Sequence, residues 1–226
     1  MNRLEELEKR WFFLLKNPRY EHNDEIILLG KEIELARALE YEEIKLELKK
    51  IDVNISTIWD LVNSKERYPK AINILIKFLL KVQHDKNIEG FARALTVREA
   101  KGKANKALIE VYERTPKQKE ELRWAIGNAI ATTMTIADIP WIFAAAQDRS
   151  SGKGRSQLIR AIATVKTEEA ENILISLLDD DEALMPTIQS LAKMKSKKSK
   201  EKILELTHSD NRNVRQEAIR AIKRIG

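Results

Sequence analysis

The chain has 226 residues, 43% hydrophobic and 34% charged, with seven glycines, five prolines and no cysteine. That length can bury a sizeable core, and the lack of cysteine excludes a disulfide framework, a cysteine-ligated zinc and a thiol nucleophile. The formal net charge of +6 is uneven: residues 1–62 hold ten Lys/Arg against fourteen Asp/Glu, whereas residues 63–166 hold twenty against ten. Residues 167–226 balance at eleven each, so a basic middle stands ready to attract an anionic partner over long range.

The opening run MNRLEELEKRWFFLLKN is too charged, and its apolar stretch too short, for a signal peptide. No stretch reaches the roughly eighteen apolar residues that span a bilayer, so a soluble, cytoplasmic protein with no membrane segment is expected. Leu4, Leu7, Trp11, Leu14 and Leu15 have helical spacing, with Pro18 just beyond their end. Asp24 is expected to cap a helix through Leu39, with Ile27, Leu28, Ile33 and Ala36 inward. Residues 42–55 alternate enough to read as a short strand or an extended linker, and Ser56 then caps a short helix carrying Trp59 and Val62. A boundary is expected in residues 50–68, which leaves 1–68 as an N-terminal helical cap.

From Pro69 the helices pair. Pro69 suits a first helical turn because it has no N–H to lose, and Ile72, Leu75, Ile76 and Leu79 form the buried stripe of the helix that follows. Thr96 and Glu99 have capping-box spacing at the head of a helix over 97–114. Helices over 117–133, 135–146, 154–165, 168–178, 182–194, 198–206 and 213–225 complete the pattern, with Thr167 and Ser196 where caps are wanted. Pro140 and Pro186 fall near helix starts.

The segment SDNRNVRQEAIRAIKRIG (209–226) repeats upstream. Moving back sixty positions brings Arg155, Leu158, Ile159, Ile162 and Val165 onto Arg215, Ala218, Ile219, Ile222 and Ile225. Moving back thirty-one brings Ile188, Leu191 and Met194 into the same register. A unit of about thirty residues built as a helix pair is the signature of an α-solenoid. The expected fold is therefore all-α: about five helix pairs over residues 69–226 behind the cap.

Asp210, Val214, Arg215, Ala218, Ala221 and Ile222 resemble the HEAT-repeat family, which places an Asp in the turn and a Val-Arg start on the second helix. Asp148 and Arg155 repeat this with Gly154 in place of the Val, and the unit over 183–194 has Leu184 at the Arg position. The resemblance implies stacked antiparallel pairs with second helices lining a concave surface, the Asp and Arg residues forming a structural ladder. It implies no chemistry.

Aligning second helices on their core positions places Asn128, Arg160, Gln189 and Arg220 at equivalent sites, with Thr132, Thr164, Lys193 and Arg224 one turn later. Trp124 lies one turn before Asn128 and could anchor an interface or belong to the core. This polar stripe is the expected binding site. In the loop from Asp148 to Arg155, Lys153 and Arg155 beside two glycines suggest weak contact with an anion, but the P-loop pattern fails because Gln147 and Gly154 stand at its defining places.

No metal or cofactor site is expected: His22, His84 and His208 lie in separate turns without ligand spacing. The run Asp179-Asp180-Asp181 lacks the interleaved ligands of a calcium loop, and no Ser sits in a Gly-x-Ser-x-Gly elbow. The expected function is a non-catalytic binding module or adaptor that recognises a protein. The alternative is a basic nucleic-acid binder: some HEAT-like bacterial DNA glycosylases for alkylated bases use Trp and Asp on the concave wall, a pair that Asp138 and Trp141 could imitate from a first helix.

Overall fold

The computed structural model describes residues 3–17 and 19–226. Pro18, expected just past the first helix, lies outside them. The described residues form fourteen α-helices, joined by short 3-10 turns, and no strand. They pack as two units, residues 1–90 and 91–226.

In the first unit, α1 (Arg3–Lys16) lies against α2 (Asn23–Leu39). The Trp11 indole N–H donates to the Ile26 carbonyl at 3.1 Å, and the Arg10 guanidinium grips both oxygens of Glu25. Leu14 on α1 and Ile33 on α2 are buried. Two expectations for α2 change here. The helix starts at Asn23, so Asp24 is a first-turn acid facing the positive end of the helix dipole and not the cap. Ile27 and Leu28 are 55% and 59% exposed, because Ile33 and Arg37 carry the inward face.

Residues 42–49, read from sequence as strand or linker, are helix α3 (Glu42–Lys49). Ile44 and Leu48, four apart, are its buried pair, and this helical spacing overrides the apparent alternation. Helix α4 (Ile58–Val62) is capped at Thr57 and not at Ser56: the Asp60 carboxylate accepts the backbone N–H of both residues, at 2.6 and 3.0 Å. Helix α5 (Ile72–Leu79), entered through a 3-10 turn at Pro69–Ala71, packs on α3 and buries Ile72, Leu75, Phe78 and Leu79.

A polar network that the sequence did not reveal ties this unit together. Glu8 accepts Arg37 at 2.6 Å and lies 2.9 Å from Nε2 of the buried His84. His84 Nδ1 accepts the Lys86 backbone N–H, and Arg37 Nε lies 3.4 Å from its Nε2. Burial works against the Glu8 charge, yet the bonds from His84 and Arg37 prevail and hold its carboxyl below the ordinary glutamate range. Asn87 donates to the Arg37 carbonyl and to Glu40 while accepting the Tyr41 hydroxyl. Helix α6 (Asp85–Ala94) begins beside this network.

The second unit is built from pairs. Helix α7 (Asn105–Arg114) packs on α8 (Glu120–Thr133), α9 (Ile139–Gln147) on α10 (Ser156–Ile162), α11 (Glu168–Ser176) on α12 (Leu184–Met194), and α13 (Lys200–Glu205) on α14 (Arg212–Ile225). The second members also pack on one another in chain order, α8 on α10, α10 on α12 and α12 on α14. The core runs along these contacts through Ile126, Ile130, Leu158, Ile159, Ile162, Ile188, Leu191, Ala218 and Ala221. Ile219, aligned with the buried Ile159, is 41% exposed; Ala218 and Ile225 are buried together with Val214 and Ala221 on the inner face of α14.

Three caps resolve differently from one another. Thr167 accepts the Ala170 amide as expected. The Thr96 hydroxyl instead donates back to the Ala92 carbonyl, and residues 97–104 form a 3-10 turn and loop before α7, so no single helix covers 97–114. Gly102, with φ of +73°, makes that break, and its N–H donates to the Thr133 carbonyl. Ser196 is buried and accepts the amide of Ser199, the residue just before α13, whose hydroxyl donates to the Ser196 carbonyl.

Candidate functional site

Arginines at the heads of second helices hold the site in place. Arg155 is fully buried just before α10; it donates to the carbonyls of Ala146 and Gly152 and closes on Asp180 at 2.5 Å. Arg123, near the head of α8, donates to the carbonyls of Tyr112 and Thr115 and reaches Ser151 of the next pair at 3.1 Å. Arg215 donates to the carbonyls of Ser209 and Asp210. Each guanidinium thus ties the carbonyl end of one first helix or its turn to the second helix that follows, and two of them also reach the next pair. Lys117, 2.8 Å from Asp148, adds one more tie of this kind.

Sequence reading missed Arg123, although the signal was there: it lies thirty-two positions before Arg155, one further step along the same repeat. It also gave no role to Asp180, in the turn between α11 and α12. Asp180 is 7% exposed and paired with Arg155.

The loop from Asp148 to Arg155 is not an anion site. Arg155 has no exposed surface and its charge is already met by Asp180. Lys153 is exposed, but its amide donates to the Glu120 carboxylate, and the Glu182 carboxylate lies close by. A Cβ at Gly152 would sit 2.0 Å from Glu120 Oε1 and 2.9 Å from Glu182 Oε2. The glycine is required by its φ of +51° and by this close approach of carboxylates, which would repel a phosphate.

Asp138 and Trp141 do not form a pair. The Asp138 carboxylate accepts the amide and hydroxyl of Thr135, a cap on the turn into α9. Trp141 donates from its indole to Glu113 at 2.8 Å and stands edge-on to the Tyr112 ring.

The polar stripe lies on the second helices: Trp124, Asn128 and Thr132 on α8, Arg160 on α10 with Thr164 just beyond it, Gln189 and Lys193 on α12, and Arg220 and Arg224 on α14. The hydroxyls of Thr132 and Thr164 donate back to the carbonyls of Asn128 and Ala161. Trp124 is half-buried, with the Arg93 guanidinium 5.9 Å from its ring centre.

Four stripe residues converge. Arg160, Gln189, Lys193 and Arg224 line a cavity of about 420 Å³ together with Ser190 and Glu217. Arg160 donates to the Gln189 side-chain oxygen at 2.9 Å, and burial pulls its guanidinium below the ordinary arginine value without discharging it at neutral pH. Glu217 is largely buried and accepts Arg220 at 3.1 Å. Ser190 is buried and its hydroxyl donates to the Ile159 carbonyl.

Among the described residues, no group of three or more His, Asp or Glu side chains is placed to hold a metal ion, and no helix is long and apolar enough to cross a membrane. Comparison with protein-family models, with curated protein sequences and with solved structures gives no match.

Proposed function

We propose that the chain is a non-catalytic binding module whose HEAT-like helix pairs form an α-solenoid, and that it recognises a protein through the face made by the second helices. The observation that carries this reading is the convergence of Arg160, Gln189, Lys193 and Arg224, from three successive second helices, on one cavity. Side chains spaced about thirty residues apart in sequence meet there only because α10, α12 and α14 pack in order. The head-of-helix contacts of Arg123, Arg155 and Arg215 support the repeat reading, since they recur at the same register. A nucleic-acid ligand is the second reading, favoured by the excess of ten positive charges over residues 63–166.

Affinity purification of the native protein, with recovered protein and nucleic acid both identified, tests this. The partner should be a protein, captured by the native chain and lost with the double variant Arg160→Gln/Lys193→Gln. A nucleic acid held by Arg160, Lys193, Arg220 and Arg224 would instead show a log–log salt slope of about −3 to −4, at roughly 0.9 per phosphate. That slope, flattened in the variant, would establish the second reading; a captured partner indifferent to the variant would overturn both.

A further inference from the structure

The cavity on α10, α12 and α14 carries more positive charge than its own wall neutralises. Arg160, Lys193 and Arg224 form no ion pair among the described residues, and the one carboxylate of the wall, Glu217, is engaged by Arg220. Arg160 is half-buried and held by a neutral acceptor, Gln189 Oε1. A partly desolvated guanidinium aimed by an amide and facing uncompensated space gains most from an anion, which replaces the lost water with charge-assisted hydrogen bonds.

The remaining wall chemistry selects among anions. None of the six lining residues is aromatic, so nucleobases find no stacking platform. Gln189 offers an amide, and Ser190, whose hydroxyl hydrogen goes to Ile159, keeps lone pairs that can accept a peptide N–H. A volume of about 420 Å³ admits a short stretch of side chains and main chain, in the range of ordinary ligand pockets.

We propose that this cavity binds an acidic segment of a protein partner, with an Asp or Glu carboxylate held by Arg160 and Lys193 and Arg224 as the third cation. The proposal rests on reading the second-helix face as the partner-binding surface.

The test uses the full chain and three fluorescent probes: a glutamate-rich dodecapeptide, the same peptide with every Glu replaced by Gln, and a twelve-nucleotide oligothymidylate. The Glu peptide should bind at least about tenfold more tightly than the Gln peptide, as expected for one or more charge-assisted bonds. Arg160→Gln should weaken it about tenfold. Lys193→Gln and Arg224→Gln, at exposed positions where folding is not at stake, should each weaken it measurably. Lys153→Gln, which removes an equal charge elsewhere in the same unit, should leave binding within about twofold.

Equal binding of the Glu and Gln peptides, or equal loss with Lys153→Gln, overturns the proposal. So does oligothymidylate binding more tightly than the Glu peptide and weakening with Arg224→Gln. If the Glu peptide fails but the native partner is still lost with Arg160→Gln/Lys193→Gln, the acidic segment is wrong and the binding face stands. If the partner is retained as well, both readings fall.

Discussion

Arg155 and Asp180, twenty-five residues apart, form an ion pair inside the second unit with side-chain exposures of 0% and 7%. The same guanidinium satisfies two backbone carbonyls, so its donors are used in several directions at once. Asp180→Ala leaves a buried cation without its counter-charge and should lower unfolding stability by about 3–5 kcal/mol. Urea denaturation of the variant beside the native chain measures this. A loss under about 1 kcal/mol would mean that the pair is open to water.

Helix α14 covers α12, where Ile188 and Leu191 have no exposed surface. Removing residues 211–226 should expose them together with the underside of α13, giving aggregation or loss of a cooperative transition. Light scattering with thermal unfolding checks it. A shortened chain that stays monomeric with an unchanged Tm would show that α14 shields nothing.

The two faces of α2 should respond differently to substitution. Ile33→Ala empties a buried site and should cost about 2–4 kcal/mol, whereas Leu35→Ser and Leu39→Ser, at 66% and 68% exposure, should each stay within about 0.5 kcal/mol. Chemical denaturation of the three single variants decides this. A cost at Leu35 or Leu39 equal to that at Ile33 would show the outward leucines to be covered.

Asp148 is held well below the usual aspartate range, first by Lys117 and then by the hydroxyls of Ser150 and Ser151. A lowered folded-state pKa contributes stability that is fully present above the unfolded value of about 3.9 and is lost as pH falls below it toward the folded value. Native Tm should therefore drop on acidification below about pH 4, and Asp148→Asn should reduce that drop while lowering Tm at neutral pH. A variant with the native acid profile would place the pH dependence on other groups.

How much of this was legible follows from which signals are local. Helix type was readable because Leu158, Ile159, Ile188, Leu191 and Ala218 recur at helical spacing and do bury that way. The strand-or-linker reading of 42–55 failed over 42–49, because Ile44 and Leu48 carry the burial while Leu46, between them, is exposed. A short segment with apolar residues on both faces cannot declare its period. The Glu8–His84–Arg37 network was out of reach, since its members lie up to seventy-six positions apart and only folding brings them together. At the candidate site, the register placed Arg160, Gln189, Lys193 and Arg224 on one stripe with five other residues, but did not single them out as the four that line one cavity. Ser190, next to Gln189, and Glu217, one turn before Arg220, were missed because polar residues gave no sign of being buried there.

The cavity takes its wall from α10, α12 and α14, and α14 is held within the unit by α12 and α13. Occupation of that cavity therefore bridges three successive pairs, α14 among them. By mass action, a ligand that needs Arg224 in place opposes the detachment of α14 by as much as detachment weakens the ligand. Amide exchange in 212–225 then becomes a gauge of occupancy, slowing with ligand concentration even if no atom of the interior moves.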